Sequence, residues 1–226
     1  MKLKVFAKNK EKIPCLKKKI LKLSSDVVFS NKPDFIICFG GDGTLLHSER
    51  LHPGVPKLVI RDDSICRSCN SGDLGFLLKN FFQGKYEIVD EPKLLARINN
   101  NELIATNDVV IRNADQHHAI RFDVKINNKL FKDVIGDGVV ISSAFGSSAY
   151  FNSITRKTFR KGQGVAFNNS TIPFEPVIKE NIKITFELKR NKAYLTSDND
   201  SKKIILKEGA IVFISNSGSY LRLIKI

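Results

Sequence analysis

Between Phe35 and Leu51 the chain reads FIICFGGDGTLLHSERL, and this stretch limits the possible folds more than any other. Phe35, Ile36, Ile37, Cys38 and Phe39 form an apolar run without polar interruption, the pattern of a strand buried on both faces of a parallel sheet. The run passes directly into Gly40-Gly41-Asp42-Gly43-Thr44, then into a helix-like pattern that continues to about Leu51 and stops at His52-Pro53-Gly54. Three glycines permit positive φ and leave no Cβ between backbone and a ligand. Backbone amides beside a helix start favour anions such as phosphate. Asp42 is the exception in that setting, because a carboxylate repels phosphate unless it binds a metal ion or accepts a proton from an attacking group. Loop and acid together point to phosphoryl transfer, with a capped strand-to-helix turn as the purely structural alternative.

Two familiar phosphate loops are excluded. No Gly-Lys-Ser/Thr ending is present, and GGDGT does not fit the G-x-G-x-x-G spacing of a dinucleotide fingerprint. The flanks extend the β-α-β pattern. Lys2 to Ala7 reads as a strand, Lys10 to Leu23 as a lysine-rich helix with Ile13, Leu16, Ile20 and Leu23 on one face, Asp26 to Phe29 as a short strand, and Lys57 to Ile60 as another apolar strand. Such alternation predicts an open, mainly parallel sheet whose ligands gather at the carboxyl ends of its strands. From Glu102 the texture changes to short β-rich runs between turn residues, among them LIATNDVVIR, AIRFDVKIN, IKITFELK and AIVFIS. The expected architecture is an α/β N-terminal domain with a mainly parallel sheet, residues 1–98, and an all-β C-terminal domain, residues 99–226. The asparagine-rich turn RINNNE marks the boundary.

Composition narrows the partners. Of 226 residues, 42% are hydrophobic and 27% charged, which places the chain among soluble globular proteins rather than disordered ones. No apolar run has the length to cross a bilayer, and MKLKVFAKNK lacks the apolar core of a signal peptide, so the expectation is a cytoplasmic protein without a membrane partner. The formal charge of +14 is spread along the chain as lysine, without a dense basic tail. It fits a biased composition or a nucleotide cleft better than a nucleic-acid groove, so no nucleic acid is expected as partner. Cys66 and Cys69 form a lone C-x-x-C; Cys15 and Cys38 provide no second pair, so no metal site is expected and the cysteines read as plain thiols.

Several segments resemble the NAD kinase family. GGDGTLL after an apolar strand is the first, although lipid kinases of the diacylglycerol and sphingosine type share GGDGT. Asn70 to Leu77, NSGDLGFL, resembles the family's N-x-G-x-L-G-F-L, and Phe76 inherits a role in enclosing the dinucleotide. Asn107-Asp108 matches the family's asparagine-acid pair, with Asp where many members carry Glu; an amide beside a carboxylate suits ribose hydroxyls and a base edge. Gly136 to Tyr150, GDGVVISSAFGSSAY, resembles the family's G-D-G, hydrophobic run and S-T-P-T-G-S-T-A-Y, a segment the lipid kinases lack. The match is clear over about residues 35 to 150. Departures follow it: Ala144 and Phe145 replace a proline and a threonine, a basic cluster (Arg156, Lys157, Arg160, Lys161) stands where S-x-G-G-P is usual, and Asp198-Asn199-Asp200 stands in place of D-G-Q.

The resemblance implies ATP-dependent phosphorylation of the adenosine ribose 2′-hydroxyl of NAD, giving NADP. Asp42 would orient or deprotonate that hydroxyl. Gly41, Gly43 and Thr44 would hold phosphate oxygens, and Mg²⁺ or another divalent cation would accompany ATP. Phe76, Asn107, Asp108, Ser148, Ala149 and Tyr150 would hold NAD, and Asp137 would reach the site of a neighbouring copy in a homodimer or homotetramer. The resemblance also implies that the terminal LRLIKI returns to the first domain. Two alternatives stay open: a catalytically silent nucleotide-binding regulator of the same fold, and a kinase of the same superfamily acting on another hydroxyl. ATP and inorganic polyphosphate both remain as donors, NAD and NADH as acceptors.

Overall fold

A computed structural model describes residues 1–62 and 66–226. Contacts divide the chain into two units, Met1–Glu91 with Tyr220–Ile226, and Pro92–Ser219.

The first unit is built from β1 (Lys2–Ala7), α1 (Ile13–Leu23), β2 (Val28–Phe29), β3 (Phe35–Gly40), α2 (Asp42–Leu51), β4 (Lys57–Arg61), α3 (Leu74–Phe82) and the start of β5 (Glu87–Ile98). Its strands run parallel in the order β2-β1-β3-β4, and the chain's last residues add a further parallel strand, with Leu223 opposite Lys57 and Ile224 opposite Leu58. The uninterrupted apolar run of β3 is explained by cover on both faces. Ile37 packs with Leu16 and Ile20 of α1 and Leu77, Leu78 and Phe81 of α3. On the opposite face the Cys38 Sγ lies 3.1 Å from Ser48 Oγ of α2. Burial pushes the Cys38 thiol up to about 11.

Local chemistry sets the helix limits. A 3₁₀ turn over Lys10–Lys12, capped by the Asn9 side chain, precedes α1, and Pro14 occupies its first turn, where no amide donor is needed. Asp73 caps α3 by accepting the Phe76 amide at 2.9 Å. The turn from α2 to β4 is closed by the fully buried Lys57, whose ammonium pairs with the Glu49 carboxylate and donates to the carbonyls of His52 (2.9 Å) and Val55 (2.7 Å). With the Gly54 amide on its other oxygen, Glu49 leaves the pair well satisfied, the condition under which a buried ion pair is tolerated. Asn70 ties the sheet to the chain's last residues. Its Nδ2 donates to the carbonyls of Val59 and Ile224, and its Oδ1 accepts the Ile226 amide.

The second unit is antiparallel throughout. The rest of β5 pairs with β6 (Asn101–Ala105). After these come β7 (Asp108–Asn113), β8 (Ile120–Ile126), β9 (Lys129–Gly136), β10 (Gly138–Ser143), α4 (Tyr150–Thr155), β11 (Gln163–Asn168), β12 (Val177–Lys179), β13 (Ile184–Arg190), β14 (Ala193–Ser197), β15 (Ile204–Leu206) and β16 (Ile211–Lys225). A 6-stranded sheet has the order β12-β11-β10-β7-β14-β15. A second sheet pairs the start of β16 with β13, β13 with β8 and β8 with β9. Alternate residues of both sheets share one core, from Val109, Ile111, Val139 and Ile141 on one side to Phe122, Val124 and Phe186 on the other. Stacked rings of Phe122 and Phe186 (5.2 Å) and of Phe167 and Phe174 (3.8 Å) fill it.

An α/β unit with parallel strands and a separate antiparallel β unit agree with the sequence reading. The cysteines require a correction: Cys66 and Cys69 form a disulfide rather than two plain thiols, because the bend between them brings their Cα atoms to 5.6 Å. Cys15 and Cys38 are free. Among the described residues no helix is long and apolar enough to cross a membrane.

Candidate functional site

The glycine-rich stretch is a tight strand-to-helix turn. Gly41 is the N-cap, and its carbonyl accepts the amides of Thr44 (3.0 Å) and Leu45 (3.2 Å), so α2 already begins at Asp42. The helix therefore starts inside the motif rather than after it. None of Gly40, Gly41 and Gly43 adopts positive φ. Space is what Gly40 provides: a Cβ there would lie 2.3 Å from Thr44 Oγ1. Gly41, Asp42, Gly43 and Thr44 thus come together in the first turn of a 10-residue helix at the carboxyl end of β3. Amide N–H groups and the positive end of the helix dipole meet there.

Asp42 is held from a second direction. Its Oδ2 accepts the Arg67 amide (3.2 Å), and its Oδ1 accepts the Ser68 amide (3.1 Å) and the Ser68 hydroxyl. Those two residues are the pair enclosed by the Cys66–Cys69 disulfide. The bend is anchored at both ends by cations, since Arg61 donates to the Cys66 carbonyl (3.0 Å) and Lys225 to the Ser68 carbonyl (3.1 Å). Burial lowers the pKa of Lys225, while Glu91 and Asp42 pull it back up. Burial likewise raises that of Glu91, with Lys225 opposing. Sequence reasoning missed Ser68 and Lys225 as neighbours of Asp42. Phe76, in the first turn of α3, is 53% exposed, unusual for phenylalanine and compatible with a ligand-facing ring.

In the second unit, Asn107 and Asp108 lie at the entry to β7, and Asp198 organises them. Its carboxylate accepts the amides of Thr106 (3.0 Å), Asn107 (2.6 Å) and Asp108 (3.3 Å), and its own amide donates to the Asp108 carbonyl (2.9 Å). Burial, reinforced by the Asp198 charge, pushes the Asp108 carboxyl up to about 7. The segment after β10 packs on the same turn. The Ser143 amide donates to the Asn107 carbonyl (2.8 Å), its hydroxyl donates to the Thr106 carbonyl (2.5 Å), and that hydroxyl oxygen accepts the Gly146 amide (3.0 Å). A Cβ on Gly146 would sit 2.2 Å from the Asn107 carbonyl oxygen, so glycine is required by contact with the other motif.

Ser148 ends a 3₁₀ turn over Phe145–Ser148, Ala149 caps α4, and Tyr150 opens it. These three residues and Asn107 with Asp108 therefore flank one turn cluster. The Tyr150 hydroxyl accepts from Asn168 Nδ2 (3.1 Å), which fixes the ring. Asp137 stands elsewhere, between β9 and β10, where its Oδ2 accepts from Asn169 Nδ2 (2.6 Å). Of the basic cluster, Lys157 forms an exposed ion pair with Glu175 at 3.0 Å.

Three comparisons bear on this arrangement. A family model described as the ATP-NAD kinase C-terminal domain matches residues 106–157, the stretch that carries the turn cluster. The chain is 31% identical over 183 residues to an NAD kinase of Sulfurisphaera tokodaii, a match spanning 76% of this chain and 71% of that one. It is 29% identical over 212 residues to a bifunctional NADP phosphatase/NAD kinase of Methanocaldococcus jannaschii. That match spans 84% of this chain but 36% of the larger protein, and several bacterial NAD kinases are likewise matched over less than half their length. In fold, the chain resembles an NAD kinase of Archaeoglobus fulgidus crystallised with ATP. The TM-score is 0.83 at 16% identity, covering 99% of this chain and 93% of that one.

Proposed function

Because the chain belongs to the NAD kinase family, we propose that it transfers the γ-phosphoryl group of ATP to the adenosine ribose 2′-hydroxyl of NAD, giving NADP. The observation that carries this reading is the position of Asp42. It is a carboxylate in the first turn of α2, where the surrounding backbone favours phosphate.

Each group then has a part. The ribose oxygen attacks the γ-phosphorus, the bond to the bridging oxygen of ADP breaks, and the hydroxyl proton passes to Asp42. An alcohol is so weak an acid that this transfer accompanies late bond formation rather than preceding it. Amides of the α2 turn, with Gly41, Gly43 and Thr44, hold phosphate oxygens. Asn107 and Asp108 hold ribose and base, with Ser148, Ala149, Tyr150 and Phe76 forming the dinucleotide's surroundings. With its pKa near neutrality, Asp108 is able both to donate and to accept a hydrogen bond. Asp137 is assigned to NAD bound by a neighbouring copy in a homodimer or homotetramer.

Mg²⁺ is proposed as part of the nucleotide substrate, where it offsets phosphate charge. Among the described residues no group of three or more His, Cys, Asp or Glu side chains forms a ligand set. A cation that keeps its waters and takes phosphate oxygens does not require one.

A second reading, a nucleotide-binding regulator without turnover, is favoured by one observation: the Asp42 carboxylate already accepts three donors from Arg67 and Ser68. The deciding experiment incubates pure protein under reducing conditions with NAD, Mg²⁺ and ATP and measures NADP. Formation of NADP is expected. Binding of both nucleotides without NADP favours the regulator. Substituting polyphosphate for ATP, or NADH for NAD, identifies the donor and the acceptor.

A further inference from the structure

The bend that covers Asp42 is closed by a bond that can be opened. Cys66 and Cys69 bracket just the two residues, Arg67 and Ser68, whose amides and hydroxyl fill the carboxylate. Three donors occupy most of the roughly four acceptor positions a carboxylate offers. Cys66 Sγ itself lies 3.9 Å from Asp42 Oδ1, and Cys69 Sγ lies 3.5 Å from the Gly40 carbonyl oxygen, so both sulfurs sit against the GGDGT turn. A carboxylate covered in this way has about one acceptor position left for an incoming hydroxyl. We propose that the Cys66–Cys69 disulfide is a redox-operated clasp on Asp42: the oxidised form holds the Arg67–Ser68 bend on the carboxylate, and reduction by a dithiol releases it for catalysis. The inference rests on the reading of Asp42 as the proton acceptor.

The two sulfurs are unequal. Cys66 is buried, 7% exposed, whereas Cys69 is partly open to solvent. A thiolate of the reductant therefore attacks Cys69 Sγ. The S–S bond breaks, and its electron pair leaves on Cys66 Sγ, which takes up a proton. The reductant's second thiolate then displaces the Cys69 sulfur from the mixed disulfide, and that sulfur takes up the second proton. Two electrons enter the protein and the reductant departs as its own disulfide. Closing so short a span orders Arg67 and Ser68 covalently; once it opens, their hydrogen bonds alone must order them. Ser68 remains tethered through its carbonyl to Lys225 and the Cys66 carbonyl to Arg61, so the bend has two protein anchors to return to on reoxidation.

The test uses the full chain carrying Cys15→Ser, which removes the exposed free thiol; Cys38 is buried and inert. Protein is equilibrated in mixtures of reduced and oxidised dithiothreitol. Alkylation and mass spectrometry report the state of Cys66 and Cys69, hydrogen exchange reports the amides of Arg67 and Ser68, and NADP formation reports turnover. One two-electron transition is expected, with kcat at least tenfold higher on the reduced side and loss of amide protection in step. The Cys66→Ser/Cys69→Ser double variant should show the reduced rate throughout. Equal kcat within twofold on both sides, a higher kcat on the oxidised side, or failure of the bond to form in oxidised buffer would each overturn the clasp. If no NADP forms in either state, the kinase reading fails instead. Amide exchange then decides alone whether the disulfide holds the bend: protection lost on reduction upholds the clasp, and protection unchanged or gained overturns it.

Discussion

Asp42 and Asp108 are two carboxylates in contrasting settings. Asp42 accepts three donors beside a helix start, and Asp108 is buried next to a second acid. Asp42→Asn preserves shape but cannot take a proton. We expect kcat to fall by about 10²–10⁴-fold with the NAD dissociation constant within a few-fold. Single-turnover kinetics beside equilibrium titration checks this, and retention of more than about a tenth of kcat would remove the general-base role. For Asp108 the folded carboxyl titrates near 7 against an ordinary value of 3.8. A raised carboxyl pKa stabilises the fold fully below about pH 3.8, and that contribution is lost as pH rises through about 7. The melting temperature of the wild type should therefore decline relative to Asp108→Asn between pH 4 and pH 7. Parallel melting curves over that range would contradict the shift. Residues such as these were legible as chemistry in the sequence, but their settings were not. Asp198 reaches Asn107 across 91 residues, and Lys225 reaches Ser68 across 157, separations that no local pattern reveals.

Elements were easier to read than the contacts between them. The run Phe35–Phe39 marked β3 because a strand covered on both faces tolerates no polar residue, and the spacing of Leu16 and Ile20 marked α1. The start of α2 was misplaced because Asp42 and Gly43 are poor helix formers; two amides converging on the Gly41 carbonyl outweigh their propensity. C-x-x-C spacing did not reveal a disulfide, since only the bend that brings the two Cα atoms together separates a bonded pair from two thiols. The most consequential unread contact lies between the turn before β7 and the turn after β10, where Gly146 rests on Asn107. Gly146→Ala should destabilise the second unit by roughly 1–3 kcal/mol, the usual cost of overpacking. It should also raise the KM for NAD more than that for ATP. Denaturant melts and steady-state kinetics test both halves, and an unchanged KM for NAD would show that the turn cluster does not serve the dinucleotide.

At the scale of the whole chain, β16 is shared: Ile211–Ile214 pair with β13 in the second unit, and Leu223–Ile224 pair with β4 in the first. Removal of Tyr220–Ile226 should leave the amides of β8, β10 and β13 protected in hydrogen exchange while those of β4 lose protection. Equal loss in both units would mean that they unfold as one. The same shared strand sets the order of events on the ribosome. Residues 1–91 emerge first, yet their sheet cannot be finished until the intervening unit has been translated and the final segment arrives. For that interval β4 presents an open edge with buried-type residues Leu58, Val59 and Ile60, and Asn70 waits for the Ile224 carbonyl and the Ile226 amide. At about 5–20 residues per second the wait lasts several seconds, long enough for an unpaired edge to find a neighbouring chain. Nascent protein is therefore a state in which this molecule exposes an edge that the finished fold pairs.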